Sequence, residues 1–374
     1  MSRSQRVPFP FVPIGTLELH TKAVSTWQRL LEDIATARVE ILFENYILVD
    51  GAAADALLNA FQSAVAQGAR VRVLVDGAGS YAMTPALRER LQAVAEFQCF
   101  HPLRWTDLLL NFRKRIMTRT HRRIVVIDSK IAWTGGIAIA NPWWHTATSP
   151  FRETMLRMTG PITAHFEIAF ESLWNTKLGG LPQPQPQRPA RDNEQCLLPQ
   201  KAIALSCFRR SLNFQIGKAK QRVWIATAYF IPPLRLRRAL RFAVERGVDV
   251  RLLLPGPNQH DHPNVRLASR RYYAQLLKHG VRLFEYQPSF QHAKAALFDD
   301  DWTLIGTPNL DRWSYLSNHE IAVGTRHVPL AAALGESFER DFESCREITL
   351  EMWKARALWN RFQESFFGIF DQAF

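Results

Sequence analysis

Short, nearly continuous apolar runs recur along the chain, each joined to a stretch with helical spacing. Residues 39–47 (VEILFENYI) and 223–231 (VWIATAYFI) read as strands that precede a helix. Further on, residues 64–77 read AVAQGARVRVLVDG and residues 243–256 read AVERGVDVRLLLPG. In both blocks a helix stops at a glycine (Gly68, Gly247), and a buried strand then runs into a glycine loop (Gly77, Gly256). Strand, helix, strand in this order is a parallel crossover unit. The pattern occurs twice, so the chain is an internal duplication. It predicts an α/β fold: two domains, each a mixed sheet flanked by helices, related by a pseudo-two-fold axis with a site at their interface.

The pattern lapses over residues 179–195, with LPQPQPQRP at the centre. Prolines and glutamines favour neither helix nor sheet, so this reads as an extended linker. It separates a first domain, 1–178, from a second, 196–350. Residues 351–374 follow as an aromatic amphipathic segment, with apolar residues at 355, 358, 359, 362, 366, 369, 370 and 374. Its tryptophans and phenylalanines suit a membrane interface, so peripheral contact through 352–374 is expected, against docking on the core.

The halves differ in length. The run from Val39 to His121 exceeds that from Val223 to His292 by 13 positions (82 against 69), and the excess falls around residues 105–117 (WTDLLLNFRKRIM). Either its apolar side packs on the core, or it dips into lipid while its bases touch headgroups.

Composition narrows the partners. Lys and Arg number 47 against 34 Asp and Glu, a net charge of +13. That excess points to an anionic partner, nucleic acid or a membrane surface. No early apolar run resembles a signal peptide and no stretch approaches about 20 apolar residues, so membrane contact is expected to be peripheral. Four cysteines without C-x-x-C spacing fit a reducing cytoplasm better than a zinc or disulfide scaffold. The triplet His260-Asp261-His262 reads as a polar loop after a strand, since nothing nearby completes a metal ligand set.

The chemistry lies in a repeated motif. His121, Arg123 and Asp128 have the same spacing as His292, Lys294 and Asp299. On a strand, residues two apart share a face, so each histidine points with its base. A short hairpin then places Gly135 opposite Arg123 and Gly306 opposite Lys294, and brings Asn309 back near His292. Two imidazoles and two fixed cations could hold one phosphate between them.

These residues resemble the phospholipase D superfamily, whose signature is H-x-K-x4-D followed by G-[GS]-x-N. The resemblance narrows to bacterial cardiolipin synthases, most similar to the B type, over residues 14–345. It rests on ENYI, LVDGAGS and RETMLRMTGPI in the first half, and on ATAYFIPP, HAKAALFDDDWTLIGTPNLDRWS and NHEIAV in the second. It implies two duplicated phospholipase D-like domains and a cofactor-free, metal-free phosphatidyl transfer through a phosphohistidine. The expected donor is phosphatidylglycerol in an anionic membrane, at the cytoplasmic face of the inner membrane, with no nucleic acid involved. His121, Arg123, Asp128, His292, Lys294 and Asp299 would be catalytic; Gly135, Gly136, Thr307 and Asn309 would bind the phosphate. Glu44, Glu153 and Glu320 stand where the family has acids that orient the imidazoles, and structural salt bridges are the alternative. Three departures stand out: Arg123 for lysine, Thr307 for serine, and Ala138 where the first half should have asparagine. Restoring asparagine at 138 is expected to be tolerated or to speed the reaction, unless Asn141 already fills that place. The rivals are a nucleic-acid phosphodiesterase, which the charge allows, and a non-catalytic lipid-binding relative.

Overall fold

The computed structural model describes residues 6–103, 106, 117–175, 180–183, 185–186, 188–201, 205–257 and 262–356. Each apolar run that reads as a strand pairs as the duplication requires. The first sheet has seven strands in the order Leu17–His20, Met155–Thr159, Ile131–Gly135, Ile124–Ile127, Glu40–Asn45, Arg70–Asp76, Glu96–Phe100. The last three are mutually parallel and the other pairings antiparallel. The second sheet repeats this order as Glu194–Lys201, His319–Arg326, Trp302–Gly306, Ala295–Phe298, Arg222–Ala226, Asp249–Pro255, Arg282–Tyr286. It is extended by Cys345–Ile348 at one edge and Leu205–Ser206 at the other. The helices Ala52–Ala66 and Leu234–Glu245 make the two equivalent crossovers between parallel strands.

Alternation along the strands builds three cores, because successive side chains face opposite ways. Ile41, Phe43, Val125 and Ile127 face the outer helices of the first half, and Val223, Ile225, Ala296 and Phe298 those of the second. Their neighbours Leu42, Ile124, Val126, Trp224 and Leu297 face inward to a core shared by both halves. The helices Ile162–Trp174 and Val328–Glu343 lie within it, through Phe166, Phe170, Leu334 and Phe338. Each such side chain contributes about 1.5–3 kcal/mol when fully buried. Pulling the halves apart would therefore cost much of the ~5–15 kcal/mol by which domains are stable. A buried ion pair reinforces the join: Arg152 Nη2 lies 2.7 Å from Asp341 Oδ2 on the second half's inner helix.

Two expectations are corrected. The segment 179–195 is not free of sheet: Gln185–Pro186 pairs antiparallel with Arg6–Val7, and Glu194 and Gln195 already belong to a long strand. Proline is tolerated there because a two-stranded ladder is all edge. The segment 352–374 does not begin as a membrane face either. The helix Leu350–Ala355 buries Trp353 (3% exposed) in the second core against Tyr273, with ring centroids 5.1 Å apart. Residues 357–374 lie outside the described residues, as does the insertion at 105–117 apart from its positions 106 and 117. Among the described residues no helix is long and apolar enough to cross a membrane.

Candidate active site

His121 and His292 stand in extended stretches just ahead of the strands Ile124–Ile127 and Ala295–Phe298. There the backbone bonds across to the other half rather than to its own sheet. His121 N–H donates to the His319 carbonyl at 2.9 Å, and His319 N–H donates to Arg119 at 2.8 Å. By the same device His292 N–H donates to the Arg152 carbonyl at 2.8 Å, and Arg152 N–H donates to Phe290 at 2.9 Å. In each case the next residue of the partnering strand supplies a carboxylate. Glu320 Oε2 lies 2.9 Å from His121 Nδ1, and Glu153 Oε2 lies 2.5 Å from His292 Nδ1. Each imidazole is thus oriented at Nδ1 by an acid from the opposite half.

The bases fold back alike. Arg123 Nη1 donates to the His121 carbonyl at 2.7 Å, and Lys294 Nζ donates to the His292 carbonyl. Beyond that they differ: Lys294 Nζ also lies 2.8 Å from His292 Nε2, whereas the Arg123 guanidinium sits 5.7 Å from the centre of the Tyr46 ring. Burial, then the charges around them, hold both imidazoles below their ordinary value, His292 at about 4 and His121 well below. Both are therefore neutral, electron-pair-bearing rings at neutral pH.

The acids diverge more sharply. Burial pushes the Glu320 carboxyl up to about 8, against the hydrogen bonds it receives from Thr307 and Ser314. Burial also acts to raise Glu153, but His292 and Lys294 outweigh it and hold that carboxyl below its usual range. The site opens on a cavity of about 510 Å³, lined among others by Tyr46, Arg119, Trp143, Tyr229, Asn309, Asp311 and Trp313 together with both histidines. Among the described residues no cluster of acids, histidines or cysteines could hold a metal ion.

Known proteins are similar to this chain in sequence and in fold. The family model described as cardiolipin synthase, PLD-like domain, matches residues 30–174 and again 212–342. A cardiolipin synthase A from Pseudomonas putida is 32% identical over 363 residues, which cover 91% of this chain and 71% of that relative. One from Pseudomonas aeruginosa is 31% identical over 348 residues, covering 91% and 70%. In fold, the chain is similar to a phosphatidylserine synthase of Haemophilus influenzae, with a TM-score of 0.76 at 14% identity over 97% of this chain and 94% of that one. A polyphosphate kinase of Porphyromonas gingivalis matches with a TM-score of 0.55 at 15% identity over 87% and 50%. The chain belongs to the cardiolipin synthase family of phospholipase D-like proteins. These cardiolipin synthase relatives carry the A designation, not the B type that the sequence pattern resembled.

For a cardiolipin synthase family member, several motif residues stand apart from the roles that the resemblance implies. Asp128 and Asp299 follow the histidines by seven positions, beyond a four-residue strand that alone spans roughly 13 Å at about 3.3 Å per residue. Both adopt left-handed turns (φ 51° and 49°). Asp128 accepts from the N–H groups of Arg38, Val39 and Glu40, and Asp299 from those of Lys220, Gln221 and Arg222. They fasten the start of the neighbouring strand and do not reach the cavity. Gly136 leaves room for an acid: a Cβ there would press on the Glu153 carboxylate oxygens. Gly135, at φ 150°, lies against the Thr154 carbonyl of the adjacent strand. Thr307 donates its hydroxyl to Glu320. Glu44 takes Arg122 at 2.7 Å and Thr120 instead of an imidazole, so it is a structural acid.

Of the phosphate-binding candidates, only Asn309 lines the cavity. Ala138 is fully buried in the outer core of the first half, and Asn141 is exposed against Gly51, so neither takes the place of asparagine. Trp143 went unnoticed in the sequence. Its Nε1 lies 3.4 Å from both Glu153 Oε2 and His292 Nδ1, and it follows Gly135 at the distance by which Ser314 follows Gly306. Aligning the halves past their glycines would have paired it with Ser314, whose hydroxyl donates to Glu320 at 2.8 Å.

Proposed function

We propose that this chain is a phosphatidyltransferase that makes cardiolipin through a phosphohistidine. The observation that carries the reading is the crosswise pair: two neutral imidazoles on one cavity, each oriented at Nδ1 by the other half's glutamate. One Nε2 attacks the phosphorus of phosphatidylglycerol, forming an N–P bond as the bond from phosphorus to the glycerol oxygen breaks. The other imidazole draws a proton from solvent and hands it to the departing alkoxide. That imidazole then takes the proton of an acceptor hydroxyl on a second phospholipid. The freed oxygen attacks phosphorus, the N–P bond breaks, and cardiolipin leaves with the histidine restored. Arg123, Lys294 and Asn309 stabilise the charge that gathers on the phosphoryl oxygens. The lipids reside in a membrane, and the protein works at the cytoplasmic surface of the inner membrane as a peripheral enzyme.

The test is lipid turnover with phosphatidylglycerol vesicles, read by mass spectrometry, beside a plasmid as a competing phosphodiester. His121→Ala and His292→Ala should each cost more than ~10³-fold, the loss seen when nucleophile and acid–base groups act as one unit. Near-normal transfer by either variant, or cleavage of plasmid in preference to lipid, overturns the proposal.

A further inference from the structure

The duplication supplies a control for reading the protein's surface. In each half two neighbouring helices cover the outer face of the sheet: Ala23–Ala35 with Ala52–Ala66, and Cys207–Lys218 with Leu234–Glu245. Their buried sides do the same packing work, so a difference on their outer sides is not required by the fold. The first pair exposes Val24 and Val65 beside Gln28, Glu32, Asp55, Asn59 and Ser63, and shows no exposed aromatic ring. The second pair exposes Arg210, Phe214 and Lys218 on one helix, and Arg235, Arg238 and Phe242 on the other. Steps of four and four in the first trio, and of three and four in the second, place each trio on a single helix face.

Two features point to an anionic, partly apolar partner. Phe214 and Phe242 are 40% and 47% exposed and Leu234 at the helix start is 45% exposed, so this pair offers aromatic rings where the first offers only valines among its large apolar side chains. The bases cluster across the two helices: burial lowers Arg209, and the like charges of Arg210 and Arg235 add to the effect. The one acid exposed on either helix, Glu245, is already engaged by Arg241 at 3.2 Å. Lys218 lies 5.1 Å from the centre of the Phe214 ring, so basic and aromatic groups alternate at close range. Aromatic rings beside cations suit the headgroup layer of an anionic bilayer, where rings enter the acyl boundary and bases meet phosphates. The helix Leu234–Glu245 starts close after Tyr229, which lines the active-site cavity, so the face begins beside the site.

We propose that the outer helix pair of the second half is the surface by which the protein docks on an anionic lipid bilayer. The inference deepens the proposed function, since it rests on the substrates being membrane lipids. Two readouts separate them. The first is co-sedimentation with vesicles of phosphatidylserine in phosphatidylcholine, which offer negative charge without the proposed donor. The second is turnover of a short-chain phosphatidylglycerol held below its micelle concentration, which needs no bilayer.

In the full chain, Arg210→Gln, Arg235→Gln and Arg238→Gln combined should weaken vesicle partitioning by roughly 10²-fold, from about 1 kcal/mol for each base near such a surface. Adding Phe214→Ser and Phe242→Ser should weaken it further, and salt should weaken the parent protein's binding. Short-chain turnover should remain unchanged, which also shows that the variants fold. Vesicle binding equal to the parent's overturns the docking face, whatever the turnover. So does a loss of self-association or of DNA binding with vesicle binding intact. A parent inactive on the short-chain lipid yet dependent on these residues for vesicle binding would overturn the proposed function and leave the docking face standing.

Discussion

Two equivalent histidines occupy two unlike electrostatic settings. His292 leans on Glu153, a carboxyl held below its usual range by His292 itself and by Lys294. His121 leans on Glu320, which burial raises to about 8 although two hydroxyls donate to it. The backbone that places the two rings is the same, down to the hydrogen bond each donates across to the other half. What differs is how a cation meets the ring: Lys294 reaches the His292 nitrogens, while Arg123 is drawn off toward Tyr46. A planar, delocalised guanidinium and a compact ammonium are not interchangeable at such a site. Duplication fixes where a reactive group stands; the few side chains around it decide which protons it has to trade.

The sharpest way to break this comparison is to neutralise the two acids separately. Glu153→Gln removes an ionised partner and should lower phosphatidyl transfer by about 10²–10⁴-fold, the range for a group that sets an imidazole's proton-transfer role. Glu320→Gln replaces a carboxyl that is largely protonated at neutral pH, so about tenfold or less is expected. Equal losses in a steady-state assay would mean that the two settings are electrostatically alike after all.

A second comparison concerns the asparagine that one half has and the other lacks. Asn309→Ala should cost about 10²–10³ in rate, as for a lost charge-stabilising donor. Asn141→Ala should leave the rate unchanged, because that side chain is exposed and outside the cavity. Ala138→Asn should not speed the enzyme, contrary to the motif-based expectation. It puts an amide into an apolar core and should lower stability by about 1–3 kcal/mol in a denaturant titration. A rate gain there would restore the motif's reading of position 138.

The aspartates give a smaller, structural effect. Asp128→Ala and Asp299→Ala should each lower stability by about 1–3 kcal/mol through unsatisfied strand-start N–H groups. The rate constant per folded molecule should hold; its collapse would return the aspartates to the chemistry. The smallest effect is a slope with pH. Glu320 holds its proton in the folded chain up to about 8, against an ordinary 4.5, so its contribution is full at low pH and lost as pH rises between those values. Melting temperatures of the parent relative to Glu320→Gln should therefore drift downward by a few degrees from pH 5 to pH 8. His292 has the opposite sign: its folded value of about 4 favours the folded chain increasingly as pH rises toward 6.5.

Much of the fold was legible because period and repetition are local properties of sequence. The glycine stops at Gly68 and Gly247 and the runs after them mark the helix ends and parallel strands, and the hairpin count puts Gly306 opposite Lys294, whose carbonyl accepts its N–H at 3.2 Å. The site was half legible. Histidine and base point together because they are two residues apart, but no spacing within one half reveals that Glu153 serves His292 and Glu320 serves His121. The aspartates entered as catalytic through the resemblance alone, while they sit in turns that fasten the neighbouring strand. Trp353 misled because an aromatic stripe looks the same whether a core or a lipid receives it.

The exchange of acids between halves also bears on the time during which the protein is being made. The ribosome finishes the first half while His292 does not yet exist, and His121 then faces no glutamate, because Glu320 lies 199 residues beyond it in the chain. Glu153 waits in the same way for a ring that has not been synthesised. A chain cut short between the halves therefore carries one unoriented imidazole and no counterpart, and is chemically silent. The crosswise pair of rings and acids is complete only once the second half has folded against the first.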